Sequence, residues 1–366
     1  MTTQLKTDIV GSFLPPENLT AAKNQLAVGA ISSAEYQQIE DSAVRDIVDR
    51  QLAAGLGTVT SGEIRRQYWD KDFYFGLGGI RREKVESGHI YQDWDCFTDN
   101  ICFTGRIAFN PEHPFLADFK FLADYVASRA NCRQTLPSPA DLYLEILAMT
   151  EGFLGRVYPD ADNLLGDIAE AYRQTILAFY DLGCRDIQID DTACARLSER
   201  GTIKSLLQGG VDLMKLQDEM LGLYNAIAEE LPTDLALSVY ISGGSRVVPE
   251  WNMDNSAENF LVKVLGKTKF TRFFLPFDTE HPEQTSVLRF LPAQTSVTLG
   301  LVNAHSPFLD DEKIIAGMVD KAATYFNRNR LSVSPTSGFK LSEFAHRGLT
   351  YADQWRKIES LTHLVL

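Results

Sequence analysis

Two carboxylates stand at the ends of apolar, strand-like runs. Glu63 closes GTVTSGE (57–63), and Asp190 lies near the end of DIQIDD (186–191). Acidic groups at the mouth of an apolar framework are costly unless they meet a cation, a hydrogen-bond donor or a ligand, and as a pair they suit an ammonium group. Asp191, beside Asp190, reads as a helix cap. Small polar residues mark the other strand ends: Ser12, Ser138, Ser242 and Ser337, with Asp278, Asn303 and His305. A serine so placed ordinarily caps the helix that follows, which is the reading for Ser138 and Ser337 taken alone. Of the six histidines, His305 alone falls at such an end. An imidazole titrating near neutrality suits acid–base work there, and a hydrogen-bonded loop histidine is the structural alternative. The candidate catalytic residues are therefore His305, Asp190 and Glu63. No G-x-x-x-x-G-K-[ST], G-x-G-x-x-G, H-E-x-x-H or C-x-x-C occurs, so the common phosphate loops and linear zinc motifs are absent.

The elements that must position these residues alternate regularly. Strand-like runs lie at 7–13, 57–63, 133–138, 186–191, 235–242, 271–278, 296–304 and 331–335, with helical patterns over 32–55, 162–182, 203–230, 310–329 and 350–365. The clearest helix opens with a Ser32-x-x-Glu35 capping box, buries Tyr36, Ile39, Ala43, Ile47 and Leu52 on one stripe, and stops at Gly55. Eight β–α units with continuously apolar strands predict a (β/α)8 TIM barrel, a doubly wound sheet being the competing architecture. Barrel active sites lie at the C-terminal strand ends, where the candidates stand. The irregular stretch 73–131 predicts a hairpin inserted after strand 2, capping the mouth of a single domain over 1–366.

Composition narrows the partners. The 366 residues are 45% hydrophobic and 23% charged, ample for a large core. Thirty-five basic against 49 acidic residues leave a formal charge of -14 with no segregated basic patch, which argues against nucleic acid. No run approaches a membrane span, and the N-terminus lacks signal-peptide character, so a cytoplasmic protein is expected. Five cysteines without framework spacing read as free thiols, with Cys96 and Cys102 the one pair considered.

Six segments in order carry a resemblance: VGSFLPP (10–16), TSGEIRRQYWDKDF (60–73), LPSPADLY (136–143), LGCRDIQIDDT (182–192), LGLVNAHSP (299–307) and VSPTSGF (333–339). Together they resemble the cobalamin-independent methionine synthase family, in particular its short members that consist of the catalytic barrel alone. The resemblance implies a (β/α)8 fold and transfer of a methyl group from a methyltetrahydrofolate to the thiol of homocysteine. It implies that Ser12 contacts the carboxylate of the bound amino acid, that Glu63 and Asp190 hold its ammonium, and that His305 assists proton movement. It also implies zinc, which holds the substrate thiol as a thiolate. Here the chain departs from the pattern. Tyr240 and Ser242 stand at the positions of a His-x-Cys pair, Pro276 at that of a glutamate and Ser337 at that of a cysteine. All four ligands are replaced, so no metal is expected. The turn of SVYISGGS (238–245) then reads as a small, neutral, hydrogen-bonding pocket. Three functions remain open: a methyltransferase acting without the zinc on an amino-acid or thiol substrate with a folate donor, a zinc-less relative with altered chemistry such as a lyase, and a non-catalytic amino-acid-binding protein. The oligomeric state is not legible in the sequence.

Overall fold

The computed structural model describes residues 6–91, 95–148, 157–158, 161–242, 260–340 and 348–364, excluding the side chains of 85–98 and 161. In chain order the elements are β1 (Lys6–Thr7), α1 (Glu17–Ala27), α2 (Ser33–Ala53), β2 (Thr58–Val59), α3 (Lys71–Gly76), β3 (Gly78–Tyr91), β4 (Asp95–Ala108), α4 (Pro114–Val126), β5 (Asn131–Pro137), α5 (Pro139–Ala148) and α6 (Ala161–Asp181). They continue with β6 (Asp186–Asp191), α7 (Ala193–Arg196), α8 (Arg200–Gln208), α9 (Leu213–Ile227), β7 (Ala236–Ile241), α10 (Phe260–Lys267), β8 (Arg272–Pro276), β9 (Ser296–Val302), α11 (Glu312–Ala323), β10 (Leu331–Pro335) and α12 (Tyr351–Thr362).

Parallel pairing runs in the order β1-β10-β9-β8-β7-β6-β5-β2. A parallel bridge between Ser12 and Gly62, with the Phe13 amide donating to the Gly62 carbonyl at 3.0 Å, joins the two outer strands beyond their ladders. The curled sheet is thus a (β/α)8 barrel-like fold. Side chains alternate along each strand. On β6, Ile187 and Ile189 enter the large core between sheet and helices, while Asp186, Gln188 and Asp190 take the opposite face. Val10, Tyr240 and Phe274 form a separate small apolar cluster on that inner face. The barrel interior is therefore polar over much of its height, and the bulk of the apolar burial lies outside the strands.

The capping box at the start of α2 forms: the Glu35 amide donates to Ser32 Oγ at 3.2 Å, and the Ser32 amide to Glu35 Oε2 at 2.8 Å. Three expectations need correction. The helix expected over 203–230 is two helices, because the Gly209–Gly210 pair ends α8, with Gly210 at φ 79°, and Asp212 caps α9 by accepting from the Met214 and Lys215 amides. The first strand pairs only at Lys6–Thr7 before continuing unladdered to the Ser12 bridge. Finally, 73–131 does contain a hairpin, the antiparallel pair β3 and β4, but its last third is α4. That helix opens with Pro114 and buries Phe115, Phe119, Leu122 and Val126 as an ordinary member of the helical ring. Cys102, Cys132, Cys184 and Cys194 are free thiols, and the Cys96 side chain lies outside the described residues.

Candidate active site at the barrel mouth

Glu63 follows β2 in a turn of unusual backbone geometry. Gly62 takes φ 69°, and a Cβ there would sit 2.9 Å from Ile47 Cγ2. Glu63 itself takes φ 56°, a left-handed conformation that costs a non-glycine residue about 1 kcal/mol or more. The carboxylate that this backbone aims inward is buried. Its Oε1 accepts from Thr135 Oγ1 at 2.6 Å and pairs with Arg66 Nη1 at 3.0 Å. Arg66, three residues on, also donates to the Thr135 carbonyl at 2.8 Å and lies over the Phe115 ring, 4.3 Å from its centroid. A guanidinium so fixed leaves Glu63 one firmly set cation partner.

Asp190 is the last inward residue of β6. Its Oδ1 accepts from Gln188 Nε2 at 2.7 Å, and among the described residues it forms no ion pair. Burial pushes its carboxyl well above the usual carboxylate range, and the neighbouring Glu63 pushes it further; the Gln188 hydrogen bond, Arg66 and Arg133 oppose the shift. Glu63 and Asp190 thus face one mouth, one of them ion-paired and the other shifted toward its neutral form.

Ser12, also buried, donates from Oγ to the Lys340 carbonyl at 2.8 Å. Gly338 packs against it so closely that a Cβ there would lie 1.9 Å from Ser12 Oγ. Lys340 reaches back to the Glu63 carbonyl at 3.3 Å, which ties the turn after β10 to the Glu63 turn. His305 sits after β9, its amide donating to Asn303 Oδ1 at 2.9 Å and its Nε2 within 3.0 Å of Ser337 Oγ. The structure therefore brings together Glu63 with Asp190, and separately His305 with Ser337. Ser138 and Asp191 act as caps: Ser138 Oγ accepts from the Ala140 amide at 3.1 Å, and Asp191 Oδ1 from the Cys194 amide at 3.0 Å.

The positions where the resemblance implies zinc carry other chemistry. A zinc ion takes three or four imidazole, thiolate or carboxylate donors. Tyr240 instead donates to the Thr336 carbonyl at 3.0 Å and hydrogen-bonds Ser242, and burial raises its phenol. Pro276 has no side-chain donor and pairs by backbone with Gly300. Ser337 is engaged with His305 and with the Gly338 carbonyl, at 2.8 Å. Among the described residues no group of three or more His, Cys, Asp or Glu is placed to hold a metal ion. The residues at these positions do not fit zinc. The Gly-Gly-Ser turn at 243–245 lies outside the described residues.

Sequence reasoning missed Arg66, Thr135, Gln188 and Lys340. Three of them carried a signal: Arg66 is three residues after Glu63, Gln188 two before Asp190, and Thr135 sits in the inward phase of β5.

No protein-family model matches the chain. It is 29% identical over 361 residues to the uncharacterised Bacillus subtilis protein YxjG, covering 98% of this chain and 93% of that one. Its identity to the equally uncharacterised YxjH is also 29%, over 357 residues, covering 96% and 92%. Among solved structures, a Listeria monocytogenes protein provisionally assigned as a vitamin B12-independent methionine synthase superposes with TM-score 0.76 at 27% identity, covering 100% of this chain and 98% of that one. A B12-independent methionine synthase from Shewanella sp. W3-18-1, solved with selenomethionine, gives TM-score 0.67 at 17% identity over 98% and 96% of the two chains. The latter likeness shows the fold alone. Among the described residues no helix is long and apolar enough to cross a membrane.

Proposed function

We propose that this chain, whose fold and sequence resemble those of the cobalamin-independent methionine synthases, binds a methionine-like α-amino acid at the barrel mouth and acts on it without zinc. Glu63 and Asp190 receive the ammonium, Ser12 and the turn behind it face the carboxylate, and His305 moves the proton. The observation that carries the reading is Asp190: a partly buried acid beside Glu63, without an ion pair among the described residues, is most readily satisfied by a cationic ligand. The whole chain serves as one barrel domain. The hairpin acts as a cap, because the Arg106–Asp167 pair at 2.7 Å and the Ile107 amide on Tyr158 root it on the first turns of α6, at the mouth side.

The reaction proposed is methyl transfer from a methyltetrahydrofolate to a thiol such as homocysteine. The new bond joins the methyl carbon to sulfur while the bond from that carbon to folate N5 breaks. The thiol proton leaves through the His305 imidazole, whose Nε2 is held by Ser337, and a proton returns to N5. General-base assistance of this kind contributes about 100- to 10,000-fold. The neutral contacts of Tyr240, Ser242 and Ser337 favour a second reading, zinc-independent lyase chemistry or simple binding of the same amino acid.

Methionine titration into chelator-treated protein, run beside an assay of homocysteine methylation, tests the proposal. Binding with zinc-free methylation supports the first reading, and binding without it supports the second. Absence of binding overturns both.

A further inference from the structure

Gln188 occupies the inner face of β6 between Asp186 and Asp190 and is fully buried. Its Nε2 donates twice, to the Val10 carbonyl and to Asp190 Oδ1, each at 2.7 Å. The Val10 carbonyl can only accept, so the amide cannot be turned over: its nitrogen must face Val10 and Asp190. Among the described residues its oxygen is then shut away from solvent with no hydrogen-bond partner. A buried acceptor left without a donor is costly, and an apolar side chain of similar size would avoid that cost. The cost is incurred at the residue that, among those described, grips the Asp190 side chain from inside the barrel.

We infer that Gln188 is a positioning residue for Asp190, fixing its carboxyl toward Glu63 and favouring its ionised form when a cationic ligand arrives. The inference rests on the proposed amino-acid site. A donor to a carboxylate strengthens when the carboxylate is charged, so this hydrogen bond works against burial and against Glu63. The other groups facing Asp190 are Glu63 and Arg66 from the turn after β2, Arg133 from β5 and Tyr240 from β7. Arg66 is bound to Glu63, and Arg133 is held at the opposite strand ends by Asp8 and Asp186. Gln188 is thus the neutral donor that reaches Asp190 directly.

The test measures methionine affinity against pH in the wild type, Gln188→Leu and Gln188→Met, with thermal unfolding of each. Affinity rises with pH as Asp190 ionises. In both variants the rising limb moves upward by about one pH unit, a loss of about fivefold at the wild-type midpoint and about tenfold well below it, while unfolding temperature changes little because the orphan oxygen is gone but the Val10 carbonyl loses its donor. An unmoved limb, with affinity lowered evenly at every pH or not lowered at all, overturns the inference. Should the wild type bind no methionine, the functional reading fails, and the pH dependence of unfolding decides the inference instead. Stability then falls over a wider pH range above the ordinary carboxylate value in Gln188→Leu than in the wild type, and the difference disappears when Asp190→Asn is added. A persistent difference contradicts the role.

Discussion

The two ends of the barrel handle charge in opposite ways. At the N-terminal strand ends, Arg133 is fully buried and bidentate to Asp8, at 2.9 and 3.0 Å, and to Asp186, at 3.1 and 3.0 Å. Arg272 joins from β8 at 3.2 Å to Asp8, and Phe274 lies against the Arg133 guanidinium, 4.8 Å from ring centroid to carbon. Two cations meet two anions, and every partner is in the chain. At the C-terminal ends Glu63 has Arg66, but among the described residues Asp190 has only the Gln188 amide. A closed network stabilises; an open one is ready for something that arrives. That contrast is the ground for the proposed site at the mouth, the end at which barrels of this architecture carry their active sites.

The largest effect should come from breaking the closed end. Arg133→Met leaves Asp8 and Asp186 with the partly exposed Arg272 in place of a buried bidentate partner, and chemical denaturation should show a loss of about 3–5 kcal/mol. Breaking the open end should instead remove binding and spare the fold. Asp190→Asn is expected to weaken methionine binding by about 2–4 kcal/mol in calorimetry.

The same substitution should stabilise the ligand-free protein. In the folded chain Asp190 keeps its proton to higher pH than in the unfolded chain, so its effect is most favourable below the ordinary carboxylate range. Stability is lost as pH rises from that range through the raised value, and stays lost above it. Asp190→Asn should therefore raise the unfolding temperature at neutral pH, by a free energy on the order of 1 kcal/mol, and flatten the pH dependence. A lowered unfolding temperature would mean that the carboxylate has a stabilising partner at the mouth after all.

The smallest change sharpens the contrast further. Thr135→Val removes the 2.6 Å hydrogen bond to Glu63 and should cost methionine binding about 1 kcal/mol, with little change in unfolding. An equal loss in both measurements would make Glu63 part of the framework.

The barrel was legible because its signals are local and periodic. The runs 186–191 and 331–335 were read with their observed bounds, and Ser32 with Glu35 announced α2. The Gly209–Gly210 break was visible in the sequence but outweighed by the helical period on either side. Likewise α4 was hidden by the aromatic hairpin before it. Glu63 and Asp190 were legible because a strand end exposes a carboxylate whatever the tertiary detail. Arg66 and Gln188 were harder although each partner is two or three residues away, because the inward phase is known only once the sheet closes, and Thr135 meets Glu63 from a different strand. The engagement of Ser337 with His305 spans 32 residues, and a strand-end serine alone reads as a cap.

Calorimetric titration of methionine into metal-free protein, repeated at one pH in buffers of different ionisation enthalpy, bears most directly on the open mouth. Burial and Glu63 favour the protonated form of Asp190 in the ligand-free barrel and an ammonium favours the ionised form, so binding should occur without metal and release protons, and Asp190→Asn should remove that release. Binding that requires zinc, or that occurs with no proton released, would contradict the account.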